Sequence, residues 1–238
     1  MVEKKETLVE VHPVLQKAHG FWTNYSKPII YLSSAIIVLI CGWLVYKYMV
    51  KLPKEQKAND AVYVVQKSFS EFSNAQTDSA KALLAEKCLN GDGSANPGVL
   101  KFINRYTGSN AANLCTYYAG ACYLSLKQFD KALKFLSDFH TSANQIQSHA
   151  YGMMGDAYSE LKKNDDALEY YKKAANVNEK DEYTASEFLF RAGLFAESIG
   201  KTNEAMDIYK RIRDDYPLSA RGQTISRYLA RVGVLEDK

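Results

Sequence analysis

Gly155-Asp-Ala-Tyr158, then eight residues, then Ala167: the fold turns on this stretch, because its pattern recurs on both sides. Gly120-x2-Tyr123-x8-Ala132 comes before it, and Gly193 with Ala205 at the same offset comes after it, all within Asn113–Pro217. The glycines lie 35 and 38 residues apart, the period of a repeat made of two helices and a turn. The pattern predicts that each glycine marks the close approach of a helix pair. The later alanine then sits on the facing helix, with bulky neighbours filling the rest of the seam.

Working outward, the composition is that of a helical chain of 238 residues with a net charge of only +3, which indicates neither a nucleic-acid footprint nor an acidic tail. The four cysteines (Cys41, Cys88, Cys115, Cys122) show no Cys-x2-Cys spacing, so zinc ribbons and thioredoxin-like motifs are excluded. Cys115 and Cys122 share a helix face and are too far apart to bond to each other. They are expected as small buried residues, with a bridge from Cys88 to one of them left open.

Ile29–Tyr46 carries no charged residue, and apolar character continues to Val50. At a helical rise this run covers about 27–33 Å, enough for a bilayer core. Trp22 and Tyr25 near one end, with Trp43 and Tyr46 near the other, are placed like the aromatic belts of a membrane anchor. A cleaved signal peptide fits poorly, because the apolar part is too long and no Ala-x-Ala site follows. Lysines flank both ends, so charge does not fix the orientation. Residues 1–28 are expected as a tail or a short surface helix. The remaining boundaries are an anchor at 29–50, a linker at 51–57 around Leu52-Pro53, a degenerate helical hairpin region at 58–108, three repeat units at 109–216 and a capping helix at 217–238.

Within the hairpin region, Ala58, Ala61, Val62, Val65, Phe69 and Phe72 form one apolar stripe and Ala80, Leu83, Leu84 and Cys88 a second. Asn96-Pro97 is expected to start the next helix as cap and first-turn proline. Further caps are expected at Ser109, at Asn164 and in a Thr184-x-x-Glu187 box, with Gly200 as a stop signal. After Pro217, Ala220, Ile225, Leu229 and Val232 predict a helix that covers the last core and turns Arg221, Arg227 and Arg231 to water.

No constellation for catalysis assembles, and no cofactor or metal site is expected. His12 and His19 lie in the tail, and His140 and His149 belong to different helices with no cysteine or carboxylate at ligand spacing.

The three units resemble the tetratricopeptide (TPR) repeat. The second fits best, through Tyr151, Met154, Gly155, Tyr158, Ala167, Tyr171 and Ala174. The first offers Gly120, Tyr123, Ala132 and Leu136. The third keeps Gly193, Ala205, Tyr209 and Pro217 but has Ala196 where the tyrosine belongs. The resemblance implies an all-α chain, an N-terminal transmembrane helix followed by a TPR-like solenoid with a C-terminal cap. It also implies a partner groove on the first helix of each pair, lined by Tyr117 and Leu124, by His149, Asp156 and Ser159, and by Glu187, Phe190, Leu194 and Glu197. Its mixed aromatic and acidic character suits an extended apolar or basic polypeptide. TPR domains that grip a C-terminal carboxylate use Lys and Asn where Tyr117, Ala121, Met153 and Glu187 stand here, leaving only Arg191 in agreement.

Tail, single anchor, degenerate hairpin and about three repeats together resemble the YfgM-like accessory subunits of the bacterial Sec translocon. That resemblance implies a single-pass inner-membrane protein with periplasmic repeats and no enzymatic activity. It would assist exported polypeptides beside the Sec channel, together with a membrane-anchored prolyl-isomerase-like chaperone. The alternative is a structural scaffold that assembles a membrane complex on the cytoplasmic face.

Overall fold

The computed structural model describes residues 13–93 and 95–234. It runs through α1 (Pro13–Val45), a π-helical turn (Tyr46–Lys51), α2 (Leu52–Ser73), α3 (Asp78–Asn90), α4 (Val99–Arg105) and α5 (Asn110–Ser125). Then come α6 (Phe129–Asp138), α7 (Asn144–Glu160), α8 (Asn164–Asn176), α9 (Glu182–Ser198), α10 (Thr202–Asp215), a 3-10 turn (Gly222–Thr224) and α11 (Ser226–Arg231). No strand occurs among the described residues, so the all-α class stands. The chain divides into two compact units, one up to Pro53 and one from Lys54 onward.

In the first unit, one helix is long and apolar enough to cross a membrane, and no side chain of its most apolar window is buried. Trp22, Tyr25, Trp43 and Tyr46 are all more than half exposed. Two expectations shift here. Helix α1 reaches back to Pro13, so residues 13–28 are helical; residues 1–12, with His12, lie outside the described residues. The linker at 51–57 is helical as well. Pro53 lies inside a continuous helical run, and the turn before it is wound as π-helix, the local widening that accommodates a residue with no N–H to donate. The Leu52 N–H accordingly reaches five residues back, to the Lys47 carbonyl.

The second unit is a series of helical hairpins, α5–α6, α7–α8 and α9–α10, each packed on the next. The same physical event holds each pair. A Cβ on Gly120 would lie 2.5 Å from the Leu136 side chain, and one on Gly155 would lie 2.6 Å from the Tyr171 ring. A Cβ on Gly193 would collide with the Tyr209 ring. In every unit the partner sits sixteen residues beyond the glycine and is almost fully buried, as are Ala132, Ala167 and Ala205. The hairpin turns repeat just as closely. Lys127 and Lys162 adopt φ of 58° and 61°, and Gly200 fills the same place at 79°. At each turn the next residue's N–H bonds back to Tyr123, Tyr158 or Ala196.

Ahead of the hairpins, Ala58, Val62, Val65 and Phe72 of α2 pack into a core with α3, α4 and α5. The Glu55 carboxylate accepts the Asn110 N–H at 2.9 Å, placing negative charge at the positive end of α5. Lys54 donates to the Thr107 carbonyl beside it at 2.7 Å.

Several local expectations are corrected. Leu83 is 71% exposed; the inward face of α3 is Ala85, Cys88 and Leu89, one step round the helix. Asn96 does not cap α4. Its Oδ1 accepts the Gly98 N–H at 2.9 Å in a local turn, and the helix begins only after Gly98, whose φ is 78°. Asn164 is the first residue of α8 and not its cap, because the chain leaves the Lys162 turn already coiled. Helix α9 starts two residues before Thr184. Asp181 caps it, accepting from the Thr184 N–H at 3.1 Å and the Thr184 hydroxyl at 2.7 Å, while Glu187 is drawn away by an arginine. The segment after Pro217 is not one helix. Gly222 packs against the Tyr216 carbonyl, a 3-10 turn intervenes, and α11 has six residues. Ala220 is exposed there and Ser219 is buried in its stead. The caps at Ser109 and the stop at Gly200 fall where expected.

Gly155→Ala and Gly193→Ala will each lower stability by about 1–2 kcal/mol, because overpacking against a buried ring outweighs the helix preference of alanine. Lys127→Gly and Lys162→Gly will each raise it by about 0.5–1 kcal/mol by relieving left-handed backbone strain; urea midpoints of the full chain in detergent give both signs. Hydrogen bonds from Thr184 hold the Asp181 carboxyl below its ordinary value. A lowered pKa contributes stability above the ordinary carboxylate range and loses it as pH falls through the folded value. Asp181→Ala will therefore cost about 1 kcal/mol at neutral pH, and the gap to wild type will close on acidification below about pH 4.

Candidate functional site

The inner helices α5, α7 and α9 carry the residues expected to line a groove, and the structure treats them unequally. Tyr117 is half-buried, with its ring 6.2 Å from Phe69 and 5.3 Å from Phe139. Leu124 is half-buried against the α2–α5 core. His149 is exposed and stands edge-on to Phe188 at 5.5 Å. Phe188 itself fills the space left by Gly152, where a Cβ would strike its ring, so α7 and α9 meet closely there. Ser159 is half-buried and Leu194 exposed. Phe190 is only 5% exposed: Tyr228 of α11 stands edge-on to its ring at 4.7 Å, and the Arg221 guanidinium lies over it at 4.1 Å. The chain's own C-terminal segment thus covers this part of α9.

The three carboxylates behave as one set. Asp156 accepts the Tyr171 hydroxyl at 2.7 Å and pairs with Arg191. Glu187 takes both arms of the Arg221 fork, at 2.6 and 2.8 Å. Glu197 accepts the Tyr209 hydroxyl at 2.9 Å and pairs with Arg231 at 2.6 Å. Burial, reinforced by the neighbouring carboxylate, pushes the Tyr171 and Tyr209 hydroxyls upward, so both stay protonated and donate. The expected acidic character is therefore corrected, because each of these carboxylates is met by an arginine. Arg191, the one residue in common with carboxylate-gripping TPR domains, is committed to Asp156.

These pairs join acid and base 35, 34 and 34 residues apart, so each link spans one repeat. The half-exposed pairs contribute about 0.5–1 kcal/mol apiece, modest singly and directional together. Outer helices add Lys201 with Asp165 at 2.7 Å, Lys172 with Glu204, and Arg211 with Glu179 at 2.7 Å. Sequence inspection by residue type missed this ladder; the signal that finds it is an acid and an arginine separated by the glycine period. Three further arginines near the C-terminus, Arg211, Arg213 and Arg227, are engaged similarly. Arg211 also reaches Asn176 and Asp215, Arg213 pairs with Asp214, and Arg227 lies over Tyr228.

Among the described residues, no group of three or more His, Cys, Asp or Glu side chains is arranged to hold a metal ion. His140, expected on a helix of its own, lies in the loop between α6 and α7, where the Asn113 amide donates to its carbonyl at 2.8 Å and accepts its N–H at 3.3 Å. Arg221→Ala will remove both the fork to Glu187 and the cover over Phe190, and will cost about 1–2 kcal/mol. Glu187→Gln will cost less than about 1 kcal/mol, since the ring contact survives. Thermal midpoints of the two variants test the difference.

Compared with known families, residues 148–181 match one model of the tetratricopeptide repeat and residues 187–219 match another. These spans coincide with the second and third hairpins. No curated protein matches the chain. TPR repeats indicate protein partners, and interaction is their usual role.

Proposed function

We propose that this chain is a membrane-anchored protein-binding module, an accessory subunit of the bacterial Sec translocon that assists exported polypeptides together with a membrane-anchored prolyl-isomerase-like chaperone. On this reading it is a single-pass inner-membrane protein, with its repeats in the periplasm. The observation that carries the reading is the order of parts: one apolar helix with fully exposed sides, then stacked hairpins of TPR type. A helix with so much uncovered apolar surface needs lipid around it, and stacked helical hairpins present an extended surface suited to recognition.

The proposed contact face runs over Tyr117, Leu124, His149, Asp156, Ser159, Glu187, Leu194 and Glu197; Phe190, expected in it, is taken out of it by the C-terminal segment that covers its ring. Its outward members are His149 and Leu194, with Ser159 half accessible. Because the carboxylates are paired, the face offers a partner a near-neutral surface, which favours an extended polypeptide with apolar side chains over a strongly basic one.

Two measurements test the proposal together. Channel subunits are expected to co-purify with the full chain from detergent-solubilised membranes, and His149→Asp with Leu194→Asp is expected to reduce recovery of exported polypeptide several-fold without loss of the channel. Protease added to intact spheroplasts is expected to digest the repeats. Repeats that stay protected, with no channel in the pull-down, would replace this reading with a scaffold on the cytoplasmic face.

A further inference from the structure

Three cysteines meet where the hairpin region joins the first repeat. Cys88 on α3 and Cys115 and Cys122 on α5 are free thiols with no exposed surface in one core, and Cys122 lies beside Cys88. The helices carrying them come close for a separate reason. Ala85 lies one turn before Cys88 and Ala119 one turn before Cys122, and both alanines are completely buried in the same core. A seam of small residues brings α3 and α5 together, and close backbones are what a disulfide requires.

We propose that Cys88 and Cys122 form a disulfide that staples α3 to α5, with Cys115 left as a free thiol. The reaction is thiol–disulfide exchange with a disulfide oxidant such as glutathione disulfide or a dithiol oxidoreductase. The Cys88 thiolate attacks one sulfur of the oxidant and releases the other as a thiol. The Cys122 sulfur, losing its proton, then attacks the Cys88 sulfur of the mixed disulfide and expels the second thiol. Two protein thiols are oxidised and one disulfide is reduced to two thiols. Because none of the three is exposed, the bond closes while the chain folds or opens locally.

The bridge would join the hairpin region covalently to the first repeat across a loop of 33 residues, counting 89 to 121. A loop of that size raises the thermal midpoint by about 5–10 °C.

The test uses the full chain in detergent, refolded in glutathione buffers of graded ratio, quenched in acid, alkylated and digested with trypsin. Trypsin leaves Cys88 alone in residues 88–101 but keeps Cys115 and Cys122 together in 106–127, so fragmentation between them, or Cys115→Ala, assigns the partner. The expected result is a linked 88–101 and 106–127 pair that persists in Cys115→Ala. Both it and the reductant-sensitive midpoint should vanish in Cys88→Ala and in Cys122→Ala. Full alkylation of Cys88 and Cys122 at every ratio, or a link that depends on Cys115, overturns the proposal.

Discussion

The second unit depends on a contact that only glycine permits. At Gly120, Gly155 and Gly193 the facing helix brings in Leu136, Tyr171 and Tyr209, side chains larger than any alternative packing could accept if a Cβ stood opposite. Removing one methyl group from each inner helix lets a large apolar side chain lie flat across it. A Cβ at any of the three would come within 2.6 Å of the facing side chain, so the arrangement tolerates little variation. Helix propensity argues against glycine at these places, and packing overrides it. The positive φ at the turn seven residues later follows from the same geometry, since a short turn must reverse the chain before the partner side chain arrives.

The register of these hairpins was legible because its signal is steric and local: a small residue, a fixed offset, a large residue. The long apolar helix near the N-terminus was legible because the apolar run is long and unbroken. Helix starts were less so, because several side chains compete for the same backbone donors. Thr184 looked like a cap, yet its hydroxyl donates to Asp181 while Asp181 takes the backbone N–H. Asn96 looked like a cap and instead closes a turn onto Gly98. Leu83 was assigned inward because stripe counting cannot resolve one step of rotation on a short helix.

The placement of the candidate residues on the first helix of each pair was legible, and their electrostatic setting was not. Residue types on the inner helices suggested acidity, but charge belongs to pairs. Asp156, Glu187 and Glu197 each answer an arginine one repeat further on. Their half-exposed links tie neighbouring units more by geometry than by energy. The same view explains Phe190, an aromatic residue on an inner helix that the chain's own Tyr228 and Arg221 cover.

Tyr228 also bears on where the glycine pattern ends. One period of 35 residues beyond Gly193 places this tyrosine where earlier units keep a bare backbone. Its ring is already spent on Phe190 and Tyr209. The glycine notch that seats a large side chain in the three hairpins thus has no counterpart at α11, where an aromatic ring occupies the equivalent place.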